Sequence, residues 1–295
     1  MIFLDTNILL DFYRMKSGQS LSLLQKIDTN HEKIITSTQV EMEFKKNRQK
    51  VIIESINKMK TPEWSVLTPP AFLSDSKKAK ATESKKKGIN ALQQQLRKKI
   101  ETVLKQPRRY DKVYLTLQRL FKSDNEINLN RNKKIRYLIR RQAYKRFLLG
   151  YPPRKDKDIT IGDSTNWEWI LYCAKKQEKN IIIVTRDSDY GSIINDECII
   201  NDWLCQEFKD RVSRKKEVIL TDKLSVAFKK ASITVTETQE KEEAIFIDDS
   251  KKEISDLSEQ YKRDLEILFN KYKPSIEEYL KQQNESLKII NIKNK

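Results

Sequence analysis

Met1-Ile2-Phe3-Leu4-Asp5-Thr6-Asn7 is the stretch on which the reading of the whole chain turns. Ile2, Phe3 and Leu4 form an unbroken apolar run, the pattern of a strand buried on both faces of a parallel sheet. Asp5 then stands at the strand's carboxyl end, the rim where open α/β sheets bind their ligands. Thr6 or Asn7 would cap the helix that Ile8, Leu9, Leu10 and Phe12 begin. Asp5 is itself a good helix cap, so taken alone it does not distinguish a reactive group from a helix start.

Working outward, the same strand-then-helix rhythm recurs. Lys33-Ile34-Ile35-Thr36-Ser37 reads as a second strand, and Thr38 opens a helix that carries Glu43 in its first turns and runs to Pro62. Ser65-Val66-Leu67-Thr68 has the makings of a brief edge strand. Much later, Gly162-Asp163-Ser164 leads into a helix with Trp167, Ile170, Leu171 and Ala174 on one face. Ile181-Ile182-Ile183-Val184-Thr185 is the strongest buried-strand signal, and it too ends on acids, in Arg186-Asp187-Ser188-Asp189-Tyr190. Trp203, Leu204 and Phe208 mark a further helix, Val218-Ile219-Leu220 a last strand, and a final helix closes this pattern near Ser232.

Between the two halves the character changes. The whole chain of 295 residues carries a net charge of +17, yet residues 74–157 alone hold 26 Lys and Arg against 7 Asp and Glu, so the remainder is slightly acidic. Ile89, Leu92, Leu96, Ile100 and Val103 give an amphipathic helix there. After an Asn-rich connector, a further helix carries Arg136, Arg140, Arg141, Lys145 and Arg146 interleaved with Tyr137 and Tyr144, and Gly150 and Pro152-Pro153 stop it. Lysine runs usually mean a solvated face. A surplus concentrated in one segment, with Tyr137, Tyr144 and Tyr151 among arginines, suits a clamp that follows a nucleic-acid backbone and stacks bases. Beyond Ser232, Glu237 to Glu243 has the composition of an acidic, disordered linker. Ser250 and Glu253 make a capping box for a helix faced by Ile254, Leu257, Tyr261, Leu265, Leu268 and Tyr272, with a second helix expected after Pro274. That tail is either a hairpin packed on the body or a surface for a second copy or a regulatory protein.

Composition removes several chemistries. Three cysteines without a CxxC pair argue for a reducing, cytoplasmic setting and against a zinc or disulfide framework. A single histidine leaves little for imidazole catalysis, and five glycines provide neither a P-loop nor a GxGxxG turn. No apolar stretch approaches the roughly 20 residues of a membrane span. What remains is carboxylate chemistry: Asp5, Glu43, Asp163, Asp187 and Asp189 all fall at junctions that a parallel sheet gathers along one edge. Unit charges at about 4 Å repel by roughly 4 kcal/mol at an effective dielectric of 20, so such a group needs a cation or a proton. Oxygen ligands favour Mg²⁺ or Mn²⁺, and two such ions suit phosphodiester hydrolysis.

Leu4-Asp5-Thr6-Asn7, Ser37 with Glu43 six residues on, Gly162-Asp163 before a helix, and Thr185-Arg186-Asp187-Ser188-Asp189-Tyr190 together resemble the PIN-domain ribonucleases. The resemblance covers about residues 1–60 and 158–232. It implies an α/β, Rossmann-like three-layer fold with about five parallel strands and a Mg²⁺- or Mn²⁺-dependent endoribonuclease for single-stranded or loop RNA. It further implies Asp5, Glu43, Asp163 and Asp187 as the acidic set, Asp189 as an extra ligand, and Thr6 and Asn7 as residues that orient Asp5. Glu41 is two residues short of the spacing from Ser37, which favours Glu43. The expected organisation is a domain in two halves (1–73 and 158–232) around a basic helical insertion (74–157), then the acidic linker (233–249) and a helical extension (250–295). Three alternatives stay open: a DNA or structure-specific nuclease on the same site, a non-catalytic RNA-binding scaffold, and a toxin or defence effector gated through the tail. Compact toxin relatives lack both the insertion and the tail.

Overall fold

The computed structural model describes residues 1–15, 20–58, 64, 68–154, 160–195 and 197–293. The helix stop at Pro62 and most of the strand expected over Ser65 to Thr68 lie outside the described residues. Strands β1 (Ile2–Leu4), β2 (Ile34–Ser37), β3 (Asn128–Leu129), β4 (Ile181–Val184) and β7 (Val218–Thr221) form one sheet in the order β3-β2-β1-β4-β7, parallel throughout. Strands β5 (Gly191–Ile194) and β6 (Glu197–Ile200) pair antiparallel as a separate hairpin. Helices α1 (Thr6–Asp11), α2 (Ser20–Thr29), α3 (Thr38–Lys58), α4 (Lys77–Lys105), α5 (Pro107–Tyr110), α6 (Lys112–Lys122), α7 (Ile135–Leu148), α8 (Gly162–Gln177), α9 (Asp202–Arg211), α10 (Leu224–Lys230) and α11 (Glu237–Lys293) complete the chain. None of the described helices is long and apolar enough to cross a membrane.

The strand order explains where a site can form. From β1 the chain steps outward to β2 and β3, whereas from β4 it steps the opposite way to β7. Right-handed crossovers then place the two sets of helices on opposite faces and open a crevice at the carboxyl ends of β1 and β4. Asp5 follows β1 and Thr185 follows β4, so both stand at that switch point. Below them Ile2, Phe3, Ile35, Ile181 and Ile183 are fully buried, each contributing about 1.5–3 kcal/mol of transfer free energy.

Three expectations are corrected. The Asn-rich connector contains β3, so the basic segment supplies the sheet's edge strand; Asn128 is buried and its amide donates to the carbonyls of Phe121 and Ser123, each at 2.8 Å, satisfying a polar side chain where an apolar one was sought. The same segment is bolted to the body through Arg48, whose guanidinium donates to Asp111 at 2.5 and 2.8 Å beneath the Tyr13 and Tyr114 rings. Residues Glu237 to Glu243 are not a disordered linker but the first turns of α11. The capping box lies at Thr236 and Gln239, where the Gln239 N–H donates to Thr236 Oγ1 at 3.3 Å and the Thr236 N–H to Gln239 Oε1 at 3.0 Å. The Ser250 hydroxyl instead donates to the Phe246 carbonyl at 2.8 Å inside the helix. Glu243 is buried because its carboxylate accepts the N–H groups of Leu224 and Ser225 at 2.6 and 2.8 Å, satisfying orphan donors of α10.

Residues Met1–Glu243 form one compact unit and Ala244–Lys295 a second. In the second unit α11 continues as a single helix through Pro274 in place of the expected pair, and Leu257, Tyr261, Leu265, Leu268 and Tyr272 on its apolar stripe are exposed.

Candidate active site

Asp5 caps α1 and lies at the floor of the crevice, 7% exposed. Its Oδ1 accepts the Thr6 N–H at 2.6 Å, while Oδ2 accepts the Thr185 hydroxyl at 2.6 Å and the Asn7 amide at 3.1 Å. The cap reading and the site reading thus describe one geometry. Burial pushes the Asp5 pKa up to about 6, and the charges of Asp187 and Glu43 push the same way against the hydrogen bonds from Thr185 and Thr6.

Thr185 is the hub of this floor. Besides donating to Asp5, its hydroxyl oxygen accepts the Asn7 amide at 3.0 Å and the Asp187 N–H at 3.1 Å. One hydroxyl therefore fixes the ends of two strands and the loop that carries Asp187.

Glu43 arrives from α3. The Thr6 hydroxyl donates to its Oε2 at 2.9 Å, and Gln39, one turn earlier, donates to Oε1 at 2.6 Å. Glu41 is turned away in a 2.5 Å pair with Lys45, which supports Glu43 as the member of the set. Gly162 allows α8 to come close, since a Cβ there would stand 2.6 Å from Glu43 Oε1 and 2.9 Å from Gln39 Nε2. That contact brings Asp163, the next residue, to the same rim. A second tie holds α8 to the sheet: the Ser37 hydroxyl donates to Asn166 Oδ1 at 3.0 Å and accepts the Val40 N–H at 3.2 Å.

Asp187 is exposed at the mouth, and Asp189 is half-buried behind it. Arg186, just before Asp187, turns inward to pair with Asp11 and comes within 4.0 Å of Glu243, anchoring the loop from beneath. Tyr190 points into the group: its ring packs on Phe3 and Trp167, and its buried hydroxyl makes no hydrogen bond among the described residues. Burial together with the charges of Asp163, Asp5, Glu43 and Asp189 drives that phenol's pKa upward, so it stays a neutral donor.

Among the described residues no three acidic, His or Cys side chains converge tightly enough to form a finished cation cage. The donor set nevertheless fits a hard divalent ion. It is all oxygen, one carboxylate is held near a pKa of 6 by uncompensated burial, and the Tyr190 hydroxyl and Asn7 Oδ1 are buried polar atoms without a partner.

The basic residues divide. Arg140, Arg141 and Lys145 are exposed on α7 with Tyr137 and Tyr144, and the half-buried Arg136 lies over the Tyr137 ring. Arg146, expected on the substrate face, is instead 3% exposed. It donates to Glu168 at 2.9 Å and pairs with Glu207, while Arg211 bridges the same two acids at 2.6 and 2.7 Å. It holds α7 to α8 and α9 and leaves the proposed binding surface. Sequence reasoning also passed over Gln39, Thr185 and Tyr190 as individual contributors. Thr185 and Tyr190 were inside the quoted motif, and Gln39 was detectable as the polar residue one helical turn before Glu43.

A family model described as PIN domain matches residues 2–190. No curated protein and no solved structure matches the chain at a significant level.

Proposed function

The chain belongs to the PIN-domain family, whose members are generally nucleases that typically use divalent metal ions, and from that premise we propose a metal-dependent endoribonuclease that hydrolyses phosphodiester bonds in single-stranded or loop RNA. The observation that carries this reading is Asp5: a buried carboxylate, hydrogen-bonded on both oxygens yet still held at a pKa of about 6, beside Glu43 and Asp187. A group in that condition is prepared for a cation.

Asp5, Glu43, Asp163 and Asp187 would hold Mg²⁺ or Mn²⁺, with Asp189 in reserve. The bound ion would supply positive charge to the phosphate and a more acidic water. The protein's own part is positional. Thr6, Asn7 and Thr185 lock Asp5, Gln39 and Thr6 lock Glu43, and Tyr190 offers a neutral O–H among the acids. Exposed Arg140, Arg141 and Lys145 on α7, with Arg136 and Tyr137, give the strand a cationic track.

The test is cleavage of matched RNA and DNA oligonucleotides with Mg²⁺, with Mn²⁺ and with chelator, using an Asp5→Asn, Asp187→Asn double variant as control. RNA cutting that needs the ion and both aspartates is expected. Cutting that survives chelation or the double substitution defeats the reading, and preference for DNA moves the substrate assignment.

A further inference from the structure

A pair of exposed rings stands beside the acidic rim. Tyr151, just beyond α7, and Trp203, in the first turn of α9, are 40% and 47% exposed, with ring centroids 5.2 Å apart and planes tilted by 38°. Large aromatic rings left open to water at a rigid, cationic surface suit the face of a nucleobase, because every base presents a π-face and stacking needs no sequence-specific contact.

The helices fix where this pair lies. Trp167 Nε1 donates to Glu207 Oε2 at 2.8 Å, which sets the second turns of α8 and α9 side by side. Four residues back on each helix are Asp163 and Trp203, one turn or about 5.4 Å nearer the carboxyl rim of the sheet. The N–H of Asn201, which caps α9 through its side chain, donates to the Tyr190 carbonyl at 2.9 Å, tying the first turn of α9 to the residue whose hydroxyl faces the acids. Beneath the rings everything is held. The Tyr151 N–H donates to the Arg146 carbonyl at 3.1 Å, and the Arg146 guanidinium bonds the Pro152 carbonyl while gripping Glu168 and Glu207. Arg154 adds a cation at the end of α7, its guanidinium 4.4 Å from the Phe147 ring centroid and donating to the Phe147 carbonyl at 3.0 Å. A platform ordered before binding loses little entropy when a base settles on it.

We propose that Tyr151 and Trp203 form a stacking subsite for an unpaired base of the strand that crosses the acidic rim, so that the enzyme selects single strands by what they expose. This deepens the nuclease reading and rests on it. A duplex hides its base faces and has nothing to offer the pair.

The test measures binding of a short single-stranded RNA, an abasic strand of equal length and a blunt RNA duplex to the full chain carrying Asp187→Asn in Mg²⁺. The same measurements are then made with Trp203→Ala, Tyr151→Ala or Trp203→Phe added. Each alanine is expected to weaken the intact strand about 10-fold, Trp203→Phe to restore most of the loss, and neither the abasic strand nor the duplex to respond. Equal losses on the abasic strand, or no loss on the intact one, overturn the platform. Cutting by the unaltered enzyme without any stacking effect sinks this subsite and spares the nuclease; stacking by a chain that cuts nothing does the reverse.

Discussion

Of the aspartates that follow strands of the sheet, Asp5 and Asp187 live in opposite surroundings. Asp5 after β1 is buried, hydrogen-bonded on both oxygens and held at a pKa of about 6; Asp187 after β4 is exposed, and its backbone N–H reaches the Thr185 hydroxyl. The same side chain at the same kind of junction is thus stripped of water in one place and left in it in the other. Position at the rim gathers the acids, and burial decides which of them carries the electrostatic strain.

The largest effect should be one in which the two residues behave alike. Asp5→Asn and Asp187→Asn should each lower metal-dependent RNA cleavage by at least about 100-fold, the scale of losing one transition-state contact in a preorganised site. Single-turnover rates would show it, and a variant that keeps near-normal rates removes that residue from the acidic set.

Without metal the pair should separate. Asp5 has its pKa raised in the folded state, so the cost of its charge is fully present above pH 6 and vanishes as pH falls towards 3.8. At pH 7.5 in chelator, Asp5→Asn should therefore stabilise the protein by up to about 3 kcal/mol, with the gain fading by pH 4.5. Asp187→Asn should stay within about 0.5 kcal/mol. Denaturant unfolding at the two pH values measures both. For the same reason Mg²⁺ should raise the melting temperature of the unaltered chain more at pH 7.5 than at pH 5, where a proton already occupies Asp5.

Thr185→Val cuts the link between the two aspartates. It removes the donor that most lowers the Asp5 pKa and the acceptor that steadies Asp187. Metal affinity should drop about 10- to 100-fold, with the pH midpoint of metal binding moving upward and Thr185→Ser restoring both. Gly162→Ala should act through Glu43 and its partner Gln39. The added Cβ meets the far ends of Glu43 and Gln39, which can swing aside, so stability should barely change while calorimetry records about a 10-fold weaker ion. The smallest effect on cleavage belongs to Glu243→Gln, which weakens the cap on α10 and the reach to Arg186. About 1 kcal/mol of stability is expected, with cleavage at neutral pH close to normal.

How much of this was readable beforehand follows from where the signal came from. Strands β1, β2 and β4 are buried on both faces, so continuous apolar runs betray them, and a carboxylate directly after such a run stands out. Strand β3 is two residues long and one of them is an asparagine whose amide is satisfied by carbonyls; no periodicity survives at that length. Hairpin β5–β6, also missed, is half exposed and begins at Gly191, where a Cβ would stand 2.0 Å from the Ile199 carbonyl oxygen. Arg146 and Arg140 look alike in sequence, since both sit in a basic run on one helix. Their fates diverge because Glu168 and Glu207 approach from distant parts of the chain, which local reading cannot see. Glu243 was hidden in the same way: seven residues rich in acid look unfolded until one of them finds the bare end of α10.

The two-residue strand has one more implication. A sheet whose interior strands are buried and mostly apolar would, with a long open border, offer a template on which a second molecule could add strand to strand. Here one border is β3, too short to hold a guest, and the other, β7, has the β5–β6 hairpin packed beside it. The molecule keeps its most adhesive element and denies it a free margin.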